Sequence, residues 1–300
     1  LLFEIQSRQK RESRKGFERR HRPGLIEFQG AFMKITNPAF ETVAEAYDRN
    51  ADKYDEFIEN NPNLMRMRQR VYRFVTARLP KGSRILDLAC GTGTDAVWFA
   101  QNGYSVFGVD ISGEMLERAK QKAKSLNLQD RLSFEQLSYT DLKNADIGQF
   151  DLTFSNFGGL NCVSDMKLVA ENVRPLMRPG GRVIWALMPP FCLWEAAMLL
   201  RGKVKLATRR FSGKSTVFKE GLNYPVYYYT PRQVEAAWGR DYHLEAVEAL
   251  SVITPPATNK DFALKRPRMF EALSKLDDIM APHFPFKYWG DFTIVSLVNK

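Results

Sequence analysis

The sequence predicts an α/β protein with a doubly wound, mainly parallel sheet, and three observations carry that reading. The stretch Arg84–Ala100 (RILDLACGTGTDAVWFA) opens as an apolar run of strand length, Ile85 to Ala89, with Asp87 set inside it. It breaks at Gly91-Thr92-Gly93 and resumes at Ala96, Val97, Phe99 and Ala100 with helical spacing. Further strand-length runs at Ser105–Asp110, from Leu132, from Phe150 and up to Met188 alternate with helical segments. With 300 residues, 44% of them hydrophobic, the chain can bury a sizeable core, so one domain with a tail or an insertion is expected.

Residues 1–32 form a basic, polar lead in which Arg8, Lys10, Arg11, Arg14, Lys15, Arg19, Arg20 and Arg22 outnumber Glu4, Glu12, Glu18 and Glu27. Its apolar residues have no sustained period, so disorder is the expectation. Leu1-Leu2-Phe3 is too short for a signal-peptide core. Met33-Lys34-Ile35-Thr36 reads as a natural start, which would make the lead dispensable. Residues 33–80 read as an N-terminal helical cap. Val43, Ala46, Tyr47, Tyr54, Phe57 and Ile58 follow helical spacing, Asn61-Pro62-Asn63 interrupts, and Leu64, Met67, Arg68, Val71, Tyr72 and Val75 form a second amphipathic helix. Arg66, Arg68 and Arg70 read as its solvated face, with the option that one of them meets the carboxylate of a cofactor as a bidentate partner.

The glycine turn is the expected cofactor site. Glycines there let the backbone turn tightly and a ligand approach closely, and the helix that follows offers free N–H groups. Two cofactor classes compete for it. Gly91-Thr92-Gly93-Thr94-Asp95-Ala96 satisfies G-x-G-x-x-G/A, and Asp110 ends the next strand near the spacing of a ribose-binding acid, as in dinucleotide sites. Asp87 argues the other way, because a carboxylate before the turn would crowd a pyrophosphate but suits a cofactor bearing an ammonium and a sulfonium.

Leu86-Asp-Leu-Ala-Cys-Gly-Thr-Gly93 resembles the first motif of class I S-adenosylmethionine-dependent methyltransferases, of the small-molecule type. The resemblance spans roughly Ala44 to Lys300, with sharp motifs only from Arg84 to Met188. It implies a Rossmann-like sheet of seven strands with the last one antiparallel, residues 81–300 forming the methyltransferase domain, and S-adenosyl-L-methionine as cofactor. It also implies that Asp87, Ala89, Cys90, Gly91 and Gly93 line the cofactor, that Asp110 accepts from both ribose hydroxyls, and that Ile111 and Met115 pack on adenine. Ala46–Asp55 is similar to the aromatic-bearing segment that precedes the core of many small-molecule members. There a tyrosine lies over the methionine end, a role that falls to Tyr54 first and Tyr47 second, with plain helix packing as the alternative for each. Many members carry an acid after the third strand for the adenine amino group. This chain departs from them, with Ser138 and Tyr139 aligned there and Asp141 three residues on. Asn156 and Phe157, after the fourth strand, are implied to face the cofactor. Asn161 is either a substrate contact or a loop residue bonded to backbone.

Past Pro189-Pro190 the chain leaves the common core. Residues 190–230 read as a lid-like insertion between the fifth and sixth strands, with Phe191 and Trp194 on its apolar half as substrate contacts. A basic flank from Arg201 to Lys214 follows, suited to peripheral contact with a lipid surface or simply to solvent. Tyr224–Pro231 reads as a strand at the pocket mouth, Pro231–Gly239 as a helix, Tyr242–Val252 as the sixth strand, Met269–Met280 as a helix and Asp291–Val298 as the terminal strand.

The net charge of +10 is split between the lead and Lys203–Lys219 and does not form one nucleic-acid groove, so a nucleic-acid partner is not expected. No run of eighteen apolar residues suggests a membrane span. Cys90, Cys162 and Cys192 show no C-x-x-C spacing, so neither a metal site nor disulfides are expected, and a reducing cytoplasm fits. For general-base work the chain offers only weak candidates, Glu195 and His243; His21 and His283 lie in the lead and in a proline-bounded loop. The expectation is methyl transfer to a small apolar or aromatic acceptor such as a quinone, isoprenoid or polyketide-like molecule. A nucleic-acid methyltransferase, a nicotinamide-dependent oxidoreductase and a non-enzymatic cofactor-binding regulator stand as alternatives.

Overall fold

The computed structural model describes residues 38–300. The expectations for the basic lead and the Met33 start lie outside the described residues. The first helix, α1 (Pro38–Glu59), ends at a break where Asn61 caps the next helix, α2 (Pro62–Thr76). The Asn61 side chain accepts from Leu64 N at 3.1 Å, and Pro62 occupies the first turn, where a missing N–H costs nothing.

Then β1 (Arg84–Leu88), α3 (Thr94–Gln101), β2 (Ser105–Asp110), α4 (Gly113–Ser125), β3 (Leu132–Gln136) and β4 (Phe150–Ser155) follow. A 3-10 turn, α5 (Met166–Val173) and β5 (Met177–Leu187) complete the parallel half. After the insertion come α8 (Pro231–Trp238), β8 (Tyr242–Leu250), α9 (Lys260–Lys265), α10 (Pro267–Met280) and β9 (Phe292–Asn299). The sheet runs β3-β2-β1-β4-β5-β9-β8, with β9 antiparallel to both neighbours. This is the seven-stranded order with the last strand of the chain reversed. Because β9 reverses, β8 runs in the same direction as β1 to β5.

Strand alternation explains why helices cover both faces. Leu86 and Leu88 join Val183, Trp185 and Leu187 in one core with α1, α5 and α8. Ile85 joins Leu152, Phe154, Ile184 and Ala186 in the other with α2 and α3. Period-two side chains that are apolar on both sides require a layer on each side. The order reverses between β1 and β4, so the crevice at the carboxyl ends of these strands opens there.

The insertion holds two short helices, α6 (Leu193–Ala196) and α7 (Val204–Thr208), and a hairpin, β6 (Lys214–Lys219) with β7 (Leu222–Tyr227). The expected strand at Tyr224 is thus one arm of a separate two-stranded sheet. Its partner β6 carries too few apolar residues to stand out in the sequence.

The expectation of a solvated arginine face on α2 does not hold. Arg68 is only 4% exposed. Arg66 bonds Asp277 and Asp278 of α10, and Arg70 bonds Glu248 of β8 and Asp278, so these two arginines tie α2 to the C-terminal half.

Candidate active site

The candidate site lies where the β1–α3 and β4 loops meet under α1. Backbone conformations that L residues avoid gather there. Ala89 (φ 56°) and Gly91 (55°) follow β1, and Phe157 (49°) and Gly158 (81°) follow β4. Such clustering marks loops shaped by their surroundings rather than by local preference. Gly93 is left-handed at the start of α3, and a Cβ there would lie 3.0 Å from Ala119 Cβ, so close packing as well as the turn demands glycine.

α1 straps these loops down through two acids. Asp55 accepts from Thr92 Oγ1 at 2.6 Å and from Lys122 Nζ at 2.7 Å. Asp48 accepts from Ser112 Oγ and from Glu114 N, while Ser112 itself caps α4 through Met115 N. The helical cap therefore holds both the glycine turn and the β2–α4 turn in place.

The cleft has two connected parts that share Tyr54, Ala89, Gly91, Asn156 and Phe157. The narrower part adds Arg68, Asp87, Cys90 and Asp95. Asp87 is 2% exposed, and its Oδ2 has no hydrogen-bond partner among the described residues. Burial, and then the neighbouring Asp95 carboxylate, push its carboxyl well above the usual range. An unpartnered buried carboxylate is costly, so this atom is built to meet a donor that comes from outside the chain. Beside it, the Arg68 guanidinium pairs with Asp95 and lies 4.8 Å over the Phe157 ring. Burial alone would lower the Arg68 pKa, but the Asp95 carboxylate outweighs it and the net shift is upward. Asp95 also accepts from Tyr72 Oη at 2.6 Å and from Asn156 Nδ2 at 3.3 Å.

The wider part is more apolar, with Val43, Tyr47, Ile111, Tyr139 and Cys162 around Asp110. Asp110 is oriented by two backbone donors, Gly91 N at 2.8 Å on Oδ2 and Ser112 N at 2.9 Å on Oδ1. Each carboxylate oxygen keeps a further lone pair for a ligand hydroxyl. Burial raises its pKa, and the backbone donors oppose that rise. Tyr54 contacts both parts, 6.2 Å edge-on from Tyr47, and its ring carbon lies 3.8 Å from where a Cβ on Gly91 would stand.

Tyr54, Asp87, Ala89, Cys90, Gly91, Asp110, Ile111, Tyr139, Asn156 and Phe157 are therefore gathered at one cleft. Other expected residues lie elsewhere. Gly93 supports the turn from behind. Met115 is fully buried in the α4 packing. The Ser138 hydroxyl is turned to Thr140, 2.7 Å away, and does not line the cleft. Asn161 is fully buried and spent on backbone: it donates to the carbonyls of Met188 and Tyr227 and accepts from Met188 N at 2.9 Å. It ties loops together and does not face the cleft.

Phe191 packs on Phe211 and Trp289, and Trp194, on α6, likewise does not line the cleft. Glu195 is clamped by Arg209 (2.6 and 2.7 Å) and Arg210 (2.6 and 2.9 Å), and Arg210 also bonds Asp291 at 2.8 Å. Although burial works against it, the arginine bonds hold the Glu195 pKa below its usual value, the opposite of what a general base near neutrality needs. Cys192, Glu195 and Asp291 approach one another closely enough to ligate a cation, but the Arg210 guanidinium between the two acids already supplies the positive charge. His243 sits at the first end of β8, opposite the carboxyl-end crevice.

The residues that sequence reasoning missed are Asp95, Asp55, Asp48 and Lys219, and it left Arg68 undecided. For Arg68 a signal existed. It stands four residues after Leu64 and three before Val71, in phase with the apolar stripe of α2, which places it inward.

The residues present fit S-adenosylmethionine. An unpartnered buried carboxylate suits its ammonium, an acid oriented by backbone at the end of β2 suits its ribose hydroxyls, and Ile111 offers an apolar surface for its base. Residues 79–201 match the model of a methyltransferase domain. The chain is 34% identical over 148 residues to a demethylmenaquinone methyltransferase of Clavibacter sepedonicus, covering 48% of this chain and 54% of that protein. It is 33% identical over 158 residues to the ubiquinone/menaquinone biosynthesis C-methyltransferase UbiE of Geotalea daltonii, covering 51% and 65%. The chain spans about half the length of the curated relatives it matches. The fold is similar to that of the CcbJ methyltransferase of Streptomyces caelestis, with a TM-score of 0.56 at 17% identity over 85% of this chain and 97% of that one.

Proposed function

We propose that the chain, whose residues 79–201 match a methyltransferase domain, is a class I S-adenosylmethionine-dependent methyltransferase that transfers the cofactor's methyl group to a small apolar or aromatic acceptor of the quinone, isoprenoid or polyketide type. The observation that carries this reading is the division of one cleft into an acidic end, with Asp87 unpartnered, and an apolar, tyrosine-lined end. The relatives named for demethylmenaquinone and for ubiquinone/menaquinone support a quinone-type acceptor.

When bound, S-adenosylmethionine supplies a methyl carbon on a sulfonium, open to in-line displacement. The chain's part is to hold and exclude. Asp87 takes the ammonium, Asp110 takes the ribose hydroxyls, and Ile111 packs on the base. Tyr54 and Phe157 close the methionine end against water, leaving the nucleophile to be aligned along the wider part. Glu195 and His243 lie away from this cleft, and the reading assigns neither of them as a base.

The finer features of the reading are cytoplasmic placement, peripheral contact with lipid and exclusion of nucleic acid. Cys90, Cys162 and Cys192 are free thiols, which suits a reducing compartment. No helix among the described residues is long and apolar enough to cross a membrane. Arg201, Lys203, Lys205 and Lys214 are exposed along the insertion, whereas Arg209 and Arg210 are held by Glu195 and Lys219 turns to the Tyr47 and Tyr54 rings. Leu199, Leu200 and Val204 stand exposed on the same segment, Leu200 at 92%. An apolar tip with a basic flank suits an anionic headgroup layer, where an apolar acceptor would also be found. Cosedimentation with anionic but not zwitterionic vesicles, lost in Leu199→Ser/Leu200→Ser, tests this contact. Against nucleic acid stands the engagement of Arg66, Arg70, Arg118 and Arg178 in ion pairs with acids of the chain itself.

Calorimetric titration with S-adenosylmethionine, S-adenosylhomocysteine and NADH, on the chain and on Asp110→Ala, tests the cofactor half. Micromolar binding of the first two, lost in the variant, is expected, and binding of NADH instead would overturn it. An acceptor panel tests the other half, and methylation of polar or polymeric acceptors alone would overturn the apolar class.

A further inference from the structure

The tip of the insertion hairpin packs on α1, beside two tyrosine rings that line the wider part of the cleft. β6 and β7 are joined by Glu220-Gly221, both at positive φ (49° and 81°), the turn geometry whose twist matches a tight two-residue hairpin. Its tip is pinned to α1, where Arg49 Nη1 donates to the Glu220 carbonyl at 2.9 Å. Burial alternates along β6, with Ser215, Val217 and Lys219 on the inner row and Thr216 and Phe218 exposed. The inner row ends in a lysine.

The Lys219 ammonium does not turn back to solvent. Its Nζ lies 4.0 Å from the Tyr47 ring centroid and 5.5 Å from that of Tyr54, two rings that line the cleft. Its direct partners among the described residues are these aromatic faces and not a carboxylate. Asp110, the acid of the wider part, is held by the Gly91 and Ser112 backbone N–H groups and makes no ion pair with Lys219. Burial holds the Tyr47, Tyr54 and Tyr139 phenols above the ordinary tyrosine range and pushes the Cys162 thiol up to about 12, so all four stay neutral. Burial also pulls Lys219 down to about 8, with Glu220 and Cys162 opposing only in part. An inward ammonium set against two aromatic rings with no carboxylate in contact is the mirror image of Asp87 at the other end of the cleft.

We propose that Lys219 is the acceptor-recognition residue of this cleft, and that the acceptor is an apolar ring compound whose acidic oxygen, on a phenol, enol or carboxylic acid, binds as its anion against the Lys219 ammonium. This rests on the reading of the cleft as the methyl-transfer site and narrows its substrate class. The rings of Tyr47 and Tyr54 supply the aromatic walls, and Lys219 selects among flat apolar molecules for those that ionise. A neutral isostere of the same shape covers the half-buried ammonium without meeting its charge, so discrimination comes from that charge and not from fit alone.

The test uses the full chain saturated with S-adenosylhomocysteine and follows, by calorimetry, the binding of 2-naphthoate, 2-naphthol and the neutral 2-naphthamide. The naphthoate is expected to bind at least tenfold tighter than the amide. Lys219→Met should abolish that preference, Lys219→Arg should keep it, and all three proteins should bind S-adenosylhomocysteine alike. Equal affinity for naphthoate and amide, a preference that survives Lys219→Met, or no binding of the anions at millimolar concentration would each overturn the proposal. Failure of S-adenosylhomocysteine to bind the unmodified chain would instead overturn the reading of the site itself, so the two failures are told apart in the first titration.

Discussion

Arg68 of α2 and Asp95 of α3 form a buried ion pair at the floor of the cleft, with Asp87 alongside. The pair ties the helical cap to the first turn after the glycine loop, and Tyr72 and Asn156 complete the hydrogen bonding of Asp95. Removing one member strands the other. Arg68→Met is therefore expected to destabilise the chain by about 3–5 kcal/mol. In the double variant Arg68→Met/Asp95→Asn the loss should fall well short of the sum of the singles, because Asp95→Asn then leaves no charge stranded without its Arg68 partner. Urea denaturation of the four proteins measures this, and strict additivity would refute the coupling.

Asp87 is predicted to trade stability for affinity. Its carboxylate is desolvated without a partner, so Asp87→Asn should make the cofactor-free chain more stable. The same change should weaken S-adenosylhomocysteine binding by about 2–5 kcal/mol, a drop of roughly 30-fold or more. The sign of the pH effect follows from the raised pKa. Above its unfolded value near 3.8, the native chain still holds a proton that the unfolded chain has lost. The stability contributed by this group is therefore full below that value and is lost as pH rises through the folded one. Denaturation midpoints between pH 4 and 8 should fall less steeply for the variant than for the parent chain. An identical slope would mean that Asp87 is not the group responsible.

The parts of the fold legible in the sequence were those set by periodicity and punctuation. Ile85–Ala89 with Gly91-Thr92-Gly93 announced the strand, turn and helix, and Pro231 marked a helix start that the structure places at the same residue. The cofactor side was readable because Asp87, Gly91 and Asp110 lie on or beside that punctuation. The opposite wall was not. Lys219 reaches the cleft only because a hairpin remote in sequence folds over α1, and no local pattern encodes that contact. Glu195 looked available because its partners Arg209 and Arg210 read as a solvated basic flank, when one of them is buried. Asn161 stood in the right loop with its side chain turned to backbone, a choice that depends on where Met188 and Tyr227 come to rest.

For Asn161 the expected phenotype is structural. Three hydrogen bonds end on its amide, from Met188 N and to the carbonyls of Met188 and Tyr227. Asn161→Ala removes these bonds from Met188 N and the Tyr227 carbonyl, while the Met188 carbonyl keeps Tyr229 N, and should cost about 2–4 kcal/mol. The acceptor preference of the folded variant should not change. A selective change in acceptor affinity with unaltered unfolding would return Asn161 to the substrate side.

Glu195 provides the clearest acid-sensitive element. Its carboxylate accepts four bonds from two guanidiniums, which hold its pKa below the ordinary glutamate value in spite of burial. A depressed folded pKa means that its stabilising effect is present above the unfolded value near 4.5 and is lost as pH falls through the folded value. Glu195→Gln should therefore destabilise the chain at neutral pH by about 3 kcal/mol, the low end for a broken buried pair because Arg210 keeps Asp291. Its stability should also decline less than the parent's between pH 5 and 3, where the parent loses this contribution. Cofactor affinity and methyl transfer by the folded variant should stay unchanged, since Arg210 anchors the insertion to the body and Glu195 does not face the cleft. Loss of turnover with intact folding would instead restore Glu195 as a participant in the chemistry.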